Sequence, residues 1–589
     1  MTSELTPAAP AIQTDSHDPP PNPSKRIKLH GRAFYESIGS PKMVLAPMVD
    51  QSEFAWRMLT RSFLPPPSST SSPPLLAYTP MFHSRLFADT PKYREQHFQP
   101  LSLKPGIPGS PPQDSSETTP HLDGNPSIDR PLFVQFCAND PDELLQAAQH
   151  VAPFCDAVDL NLGCPQGIAR RGHYGAFLQE DWALIARMIR TLHASLDVPV
   201  TAKMRILETP EKTLAYAKTI LDAGASVITV HGRRREQKGH NTGLADWGAI
   251  RHLRENLPRE TVIFANGNVL GYEDLGTCLR ETGADAVMSA EGNLHDPTIF
   301  AEEVPVGQEG REYWRGRDGR GGWRVDAVLR RYMDIIYRYV LGVEPPTRGL
   351  LFVPADYVPE AATGNGKADL DTAPADDSPE RPAKRQKLSK KQKKELSKKG
   401  ERKKFENANN ANMTAMQPHL FHLLRPLITK HHNVRDALAH SRAGDIEAYE
   451  NVLALVEKAV KDGLLEYERE QGENGKVQEK KTIEEKVQAG EKINGQPKDL
   501  NPYESSLLAV ERCKRPWWIC QPYVRPLPNE ALEKGAMTLS KKERMALEKA
   551  EKEVKDAGLE PEGRIEREDV GSGLGRGEVE VPREGVVCG

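Results

Sequence analysis

Cysteine is scarce: the 589-residue chain has seven, with no Cys-x-x-Cys pair and no regular spacing. That excludes a disulfide framework and argues against a cysteine zinc site, so no metal is expected, and a reducing compartment fits. The first 30 or so residues, rich in Pro and Ser, lack the long apolar run of a signal peptide or membrane span. Neither export nor a membrane partner is expected. Net charge is also small, at −4. The average conceals an almost wholly basic stretch, 381–404, beside an acidic one, 361–380.

What the chain does have is alternation. From residue 43 to about 300, short apolar runs alternate with helical patterns, which is the signature of βα units on a parallel sheet. The spacing predicts eight strands, at 43–46, 75–78, 132–136, 157–161, 200–204, 227–231, 262–265 and 286–289. Runs such as Val227-Ile228-Thr229-Val230 suit strands buried on both faces. The fold class expected is therefore α/β, a parallel (β/α)8 TIM barrel over 36–318. An open doubly wound sheet is the alternative, but no G-x-G-x-x-G follows the first strand, which weakens its dinucleotide-binding form. Pro- and Ser-rich stretches near 65–74 and 105–129 are expected to be disordered insertions. Helical periodicity at 325–340 and 419–463 predicts a helical domain made of 319–345 and 413–465, split by a disordered basic insertion over 346–412. Disorder is likewise expected for 1–35 and for most of 466–589, apart from a Trp-rich docking patch near 515–526.

On such a barrel, functional groups lie where strands meet loops at the C-terminal face. Those positions hold Pro47-Met48, Gln135, Asn161 with Cys164, Lys203 with Arg205, His231, Asn266-Gly267-Asn268 and Ser289-Ala290-Glu291-Gly292. A single Lys or His at a strand end is commonly structural; the joint set is harder to explain that way. Cys164 sits between Gly163 and Pro165, a turn expected to hold the thiol on a loop as an acid or nucleophile rather than in the core. Cys137, Cys155 and Cys278 lie within apolar or helical patterns and read as buried small hydrophobes.

Ala46-Pro47-Met48, Asn161-Leu162-Gly163-Cys164-Pro165, Lys203-Met204-Arg205, His231-Gly232-Arg233 and Asn266-Gly267-Asn268 resemble the tRNA-dihydrouridine synthases in identity and order. The runs Pro47-Met48-Val49-Asp50-Gln51-Ser52-Glu53 and Arg171-Gly172-His173-Tyr174-Gly175-Ala176-Phe177-Leu178 resemble the eukaryotic branch acting on D-loop uridines 16 and 17. The match spans about 41–300, resumes at 419–445 and touches 518–526. The resemblance implies FMN in the barrel mouth and NADPH or NADH as reductant, with hydride delivered to C6 of the uracil and Cys164 as proton donor to C5. It further implies that Ala46, Pro47 and Met48 pack on the isoalloxazine, that Gln135 bonds its edge, and that Lys203 and His231 flank flavin and base. The ribityl phosphate would be held by Asn266, Gly267, Asn268 and the Ala290-Glu291 turn, where amides facing a Gly-containing turn suit an anion. Bacterial relatives carry Gly-Arg where this chain has Ala290-Glu291, so phosphate contacts there rest on backbone amides or another basic residue, with Arg233 and Lys238 the candidates.

tRNA is the partner the resemblance implies, through a D-loop uridine extruded into the mouth. Asn161, Arg205, Arg425, Lys430 and Arg435 are candidate substrate contacts, the last three on the helical domain, where a plain solvated helix face is the competing reading. No obligate protein partner is implied. Lys25-Arg26-Ile27-Lys28-Leu29 and Lys384-Arg385-Gln386-Lys387-Leu388 share a form found in nuclear localisation signals, so cytoplasmic or nuclear residence is expected. The Lys-rich run that follows reads equally as an RNA tether or a solubilising charge run. Two other functions remain open: an FMN barrel oxidoreductase acting on a free pyrimidine, against which the basic helical extension argues, and a non-catalytic RNA-binding relic, which should lack one of Cys164, Lys203 or His231.

Overall fold

A computed structural model describes residues 28–65, 73–102, 119–357, 409–473 and 505–533. The signal candidate at 384–388, the basic run 381–404 and most of the terminal segments lie outside the described residues. Eight parallel strands close into a barrel: β1 Met43–Leu45, β2 Leu76–Tyr78, β3 Leu132–Cys137, β4 Ala157–Leu162, β5 Val200–Arg205, β6 Ala225–His231, β7 Val262–Asn266 and β8 Ala286–Ser289. Neighbours pair in sequence order, β8 returns to β1, and β2 pairs with β3. An open sheet is thereby excluded. Every residue of β3 to β8 is buried, as expected of strands covered by side chains within and helices without.

Helix starts are written locally. Asp140 accepts from the amides of Asp142 and Glu143 ahead of α1, Pro141–Val151, and Thr209 accepts from Lys212 ahead of α2, Pro210–Asp222. In both, Pro occupies the first turn, where its missing N–H is not needed. Residues 28–35, expected to be disordered, are ordered where described. Tyr35 donates to the carbonyls of Pro41 and Asp285 at 3.1 Å, and the Lys28 ammonium donates to His193 and Leu196 carbonyls at 2.7 and 2.9 Å.

The expected insertion at 105–129 is also shorter than its composition implied. Asp129 is fully buried: its carboxylate accepts from Arg57 at 2.5 and 3.0 Å and pairs with Arg61, while Arg57 also reaches Asp123 at 2.8 Å. Removing one member of such a cluster strands a buried charge, so 119–129 is held by electrostatics that composition cannot register. The basic insertion narrows too. Arg348 binds Asp334 at 2.5 Å and Glu450 at 2.6 Å, and Asn412 accepts from the Ala55 amide at 2.8 Å, so 346–357 and 409–412 belong to the folded unit.

Beyond the barrel, α3 Val325–Ile335 packs with α4 Ala411–Leu423, α5 Arg425–Lys430, α6 His432–His440 and α7 Ile446–Glu473. His419 docks α4 onto the barrel's C-terminal side, its ring stacked on Trp56 at 3.8 Å and 2.9 Å from Glu53. Trp518 is buried against Trp314, and the Val325 amide donates to its carbonyl at 3.0 Å. Contrary to the disorder expected for the rest of the tail, α8 Ser506–Cys513 and α9 Pro528–Glu533 are formed, and the tail lies over the mouth of the barrel.

Candidate active site

Polar residues at the ends of β3, β4 and β5 form one directed chain. Thr201 donates to Asp159 at 2.6 Å, and Gln135 Nε2 donates to its other oxygen at 2.8 Å. Gln135 Oε1 accepts from Asn161 Nδ2 at 2.8 Å, leaving Asn161 Oδ1 to accept from the amides of Gly163 and Cys164 at 3.1 and 2.9 Å. An ionised carboxylate can only accept, so Asp159 sets the orientation of both amides and, through them, the loop that carries Cys164. Burial, partly offset by Thr201, Gln135 and Lys203, lifts the Asp159 carboxyl to about 6.

Arg205 braces the same loop from the other side, donating from Nε to the Gly163 carbonyl at 2.7 Å. Cys164 itself departs from expectation. The loop is where the sequence puts it, but the residue is 1% exposed and packs with Cys137, Ala169 and Tyr174, against Val49, Met81 and Phe177. Part of the cover comes from Tyr174 and Phe177, which the Gly-Cys-Pro turn alone gives no hint of. Gly175 sits at φ +64°, and a Cβ there would lie 2.7 Å from the Cys164 carbonyl oxygen, so only glycine permits so close a cover.

Lys203 donates to Asn266 Oδ1 at 3.0 Å, tying β5 to β7, and Asn266 donates onward to the Met288 carbonyl at 3.1 Å. Beyond it the chain turns through Gly267, φ +110°, and Asn268, φ +60°. A Cβ on Gly267 would come within 2.7 Å of Ala245 and 3.0 Å of the His231 ring. Desolvation, with Arg205, Arg233 and Lys203 nearby, holds His231 well below its usual pKa. It is a neutral imidazole; Arg233 donates to its Nε2 at 3.0 Å, which leaves the proton on Nδ1.

His231, Asn266, Gly267, Asn268, Ala290, Glu291 and Arg205 open onto one cavity of about 560 Å³, a size ordinary for a cofactor or drug-sized ligand. Arg425 reaches the same cavity, its guanidinium 3.8 Å over the Tyr523 ring. Ala46, Pro47, Met48, Gln135, Asn161, Cys164 and Lys203 lie behind it, buried and outside its lining. Lys430 and Arg435 are not brought in: Lys430 pairs with Glu466 at 3.1 Å and Arg435 with its neighbour Asp436 at 3.2 Å. The barrel and this strand-end set decide the family once the sequence comparison is added. The family model described as dihydrouridine synthase matches residues 44–339. The chain belongs to the dihydrouridine synthase family.

Relatives of the same family extend the likeness along most of the chain. A Schizosaccharomyces pombe protein named tRNA-dihydrouridine(16/17) synthase, NAD(P)(+), is 39% identical over 85% of this chain and 92% of its own length. A Saccharomyces cerevisiae protein of the same name is 39% identical over 87% and 90%. Among solved structures, mandelate oxidase with benzoyl-formic acid aligns over 42% of this chain and 64% of its own at 14% identity, with a TM-score of 0.26, too slight a likeness to support inference. As a member of the family the chain is an enzyme, an oxidoreductase.

Three features of the site were not read from the sequence. The tail contributes Arg512, Tyr523 and Arg525 to the cavity wall, although 234 residues separate Arg525 from Glu291, whose carboxylate its Nε reaches at 2.7 Å. Asp159 is invisible within a buried strand except as a lone acid in an apolar run. Gln51, in the loop after β1, is buried with neither polar side-chain atom partnered among the described residues. An orphaned amide in that loop, a cationic cavity and a turn that excludes a Cβ beside His231 all fit a phosphorylated flavin.

Proposed function

We propose that this chain is a flavin-dependent tRNA-dihydrouridine synthase that reduces the C5=C6 bond of uridine 16, uridine 17 or both in the tRNA D-loop, with Cys164 donating the proton to C5. The observation that carries the reading is the continuous polar chain that sets the Cys164 loop, beside the Lys203–Asn266 contact that leads to the cavity. FMN, reduced by NADPH or NADH, supplies the hydride when bound. Ala46, Pro47 and Met48 would lie against its ring system, Gln135 at its edge, and Asn266, Gly267, Asn268, Ala290 and Glu291 toward its phosphate.

Cys164 sits on a loop whose two amides are fixed by Asn161, so the thiol stands in one place relative to β5. The ammonium of Lys203 opposes negative charge developing on a uracil carbonyl as the ring is reduced. His231, neutral and protonated at Nδ1, offers a donor without adding charge. Tyr174, Met81 and Phe177 keep water from the thiol, and some of this cover must move for a base to reach it. A loop base, already unstacked, costs less to extrude than a paired one. Arg425 at the cavity rim, with Lys430 and Arg435 farther along the helical domain, would meet tRNA phosphates.

For location we favour the cytoplasm with a nuclear pool directed by 384–388, because Lys28 of the other candidate is engaged with the end of a barrel helix. The function is tested by incubating the purified full-length protein, flavin and NADPH with a tRNA transcript or with free uridine. Dihydrouridine should form in the tRNA and not in the nucleoside. Reduction of free uridine at a comparable rate would favour the small-molecule oxidoreductase, and an absence of flavin absorbance with no product would favour the binding relic.

A further inference from the structure

We infer that the C-terminal segment 505–527 completes the cofactor site, and that Arg525, with Arg512 on the same cavity wall, is the cation that binds the flavin's terminal phosphate at the turn after β8. The inference rests on the flavin reading above. It begins with charge. Among the described residues, Arg205, Arg233, Lys238, Arg425, Arg512 and Arg525 line the cavity, against two carboxylates, Asp274 and Glu291. Its three histidines add nothing, because burial and the surrounding cations hold His231 and His295 well below their usual pKa and bring His422 to about 4. The excess of four positive charges suits a phosphate monoester, which carries about −1.5 to −2 at neutral pH.

Position then singles out the tail. Both lining carboxylates are matched to tail arginines, Glu291 with Arg525 Nε at 2.7 Å and Asp274 with Arg512 Nη2 at 3.5 Å. Glu291 thus fixes the Arg525 side chain at the turn after β8, and a guanidinium with five N–H donors can hold a carboxylate and a phosphate together. Ser505 and Ser506 line the same wall, fixed by Glu530 at 3.0 Å from the Ser506 amide. Arg233 faces them across the cavity, donating to Asn268 Oδ1 at 2.7 Å. The phosphate end of the site is therefore built from two parts of the chain that are remote in sequence, and cofactor binding and tail docking should reinforce each other.

The test is phosphate discrimination, read by flavin fluorescence on full-length protein stripped of cofactor and titrated with FMN or with riboflavin, which lacks the phosphate. In the unsubstituted protein FMN should bind more tightly. Arg525→Gln should weaken FMN by about 10- to 100-fold, the loss of a charge-assisted hydrogen bond together with an uncovered Glu291, and should leave riboflavin within about threefold. Arg525→Lys should keep most of the discrimination, and Arg525→Gln with Glu291→Gln should recover part of it. Retained riboflavin binding shows that the variants are folded. An unchanged ratio of FMN to riboflavin affinity in Arg525→Gln, or a loss of tRNA affinity in its place, overturns the inference. Should the unsubstituted protein bind neither flavin, the cofactor reading itself falls, which is a different result.

Discussion

The two halves of the barrel mouth are built on opposite plans. On the side of β6 to β8 the residues are polar and cationic, open onto a cavity of about 560 Å³, and are completed by helices and tail from outside the barrel. On the side of β3 to β5, Pro165 and Arg205 still reach that cavity, but the reactive candidates are sealed: Cys164 is 1% exposed under an apolar cover, and the amides of its loop are fixed by Asn161. A preformed open half suits a cofactor that remains bound, and a sealed half suits a thiol that is needed only when a base displaces its cover. On the proposed roles, binding of the flavin phosphate and proton transfer from Cys164 should be separable in this protein. Substitutions on one side should move one and spare the other.

The sharpest division is expected from Cys164→Ala. Loss of a proton donor should lower dihydrouridine formation by about 10²- to 10⁴-fold, while flavin content and flavin reduction by NADPH stay unchanged. Single-turnover product assays beside absorbance spectra would show it; retained product formation would remove Cys164 from the chemistry.

Next in size is the anchor of the sealed half. Asp159 keeps its proton up to about pH 6 in the folded chain, against 3.8 for an ordinary aspartate. Its contribution is therefore fully present below about pH 4 and is lost as pH rises through 6, a change of about 3 kcal/mol. Denaturant unfolding of the native protein and Asp159→Asn across pH 4 to 7 should show their stability difference shift by that order in favour of the variant. A flat difference would mean that Asp159 does not titrate there. Because an asparagine cannot accept from both Thr201 and Gln135, the variant should also lose product formation despite any gain in stability.

Gly175→Ala presses on the cover. A Cβ at φ +64° and 2.7 Å from the Cys164 carbonyl should cost about 1–3 kcal/mol and slow product formation with flavin affinity intact. Equal loss of flavin would blur the two halves. Gln51→Met should have the smallest effect, raising the stability of flavin-free protein by about 1 kcal/mol as an unpartnered buried amide is removed. If the amide meets the cofactor, flavin affinity should fall in the same variant.

The barrel was legible because its signals are local: each buried strand is a short apolar run, and its polar end residue marks the mouth. Thus Gln135, Asn161, Lys203 and His231 are placed at strand ends by the sequence alone. What was not legible depends on residues distant in sequence. Asp129 reads as part of a polar insertion until Arg57 stands within 2.5 Å of it. The segment around Arg525 reads as a docking patch, but its place in the cavity wall does not, because its partners Glu291 and Arg425 lie on the barrel and the helical domain. Cys164 was placed on its loop but not under its cover, since burial there depends on a left-handed Gly175 that the motif does not contain.

The proposed function joins both halves in one reaction on a tRNA uridine. The most direct measurement maps dihydrouridine in tRNA from cells that lack this protein, with and without the native chain restored. The account predicts that dihydrouridine disappears from positions 16 and 17 and returns with the native chain, while dihydrouridine elsewhere persists. Unchanged dihydrouridine at both positions in cells without the protein would contradict it.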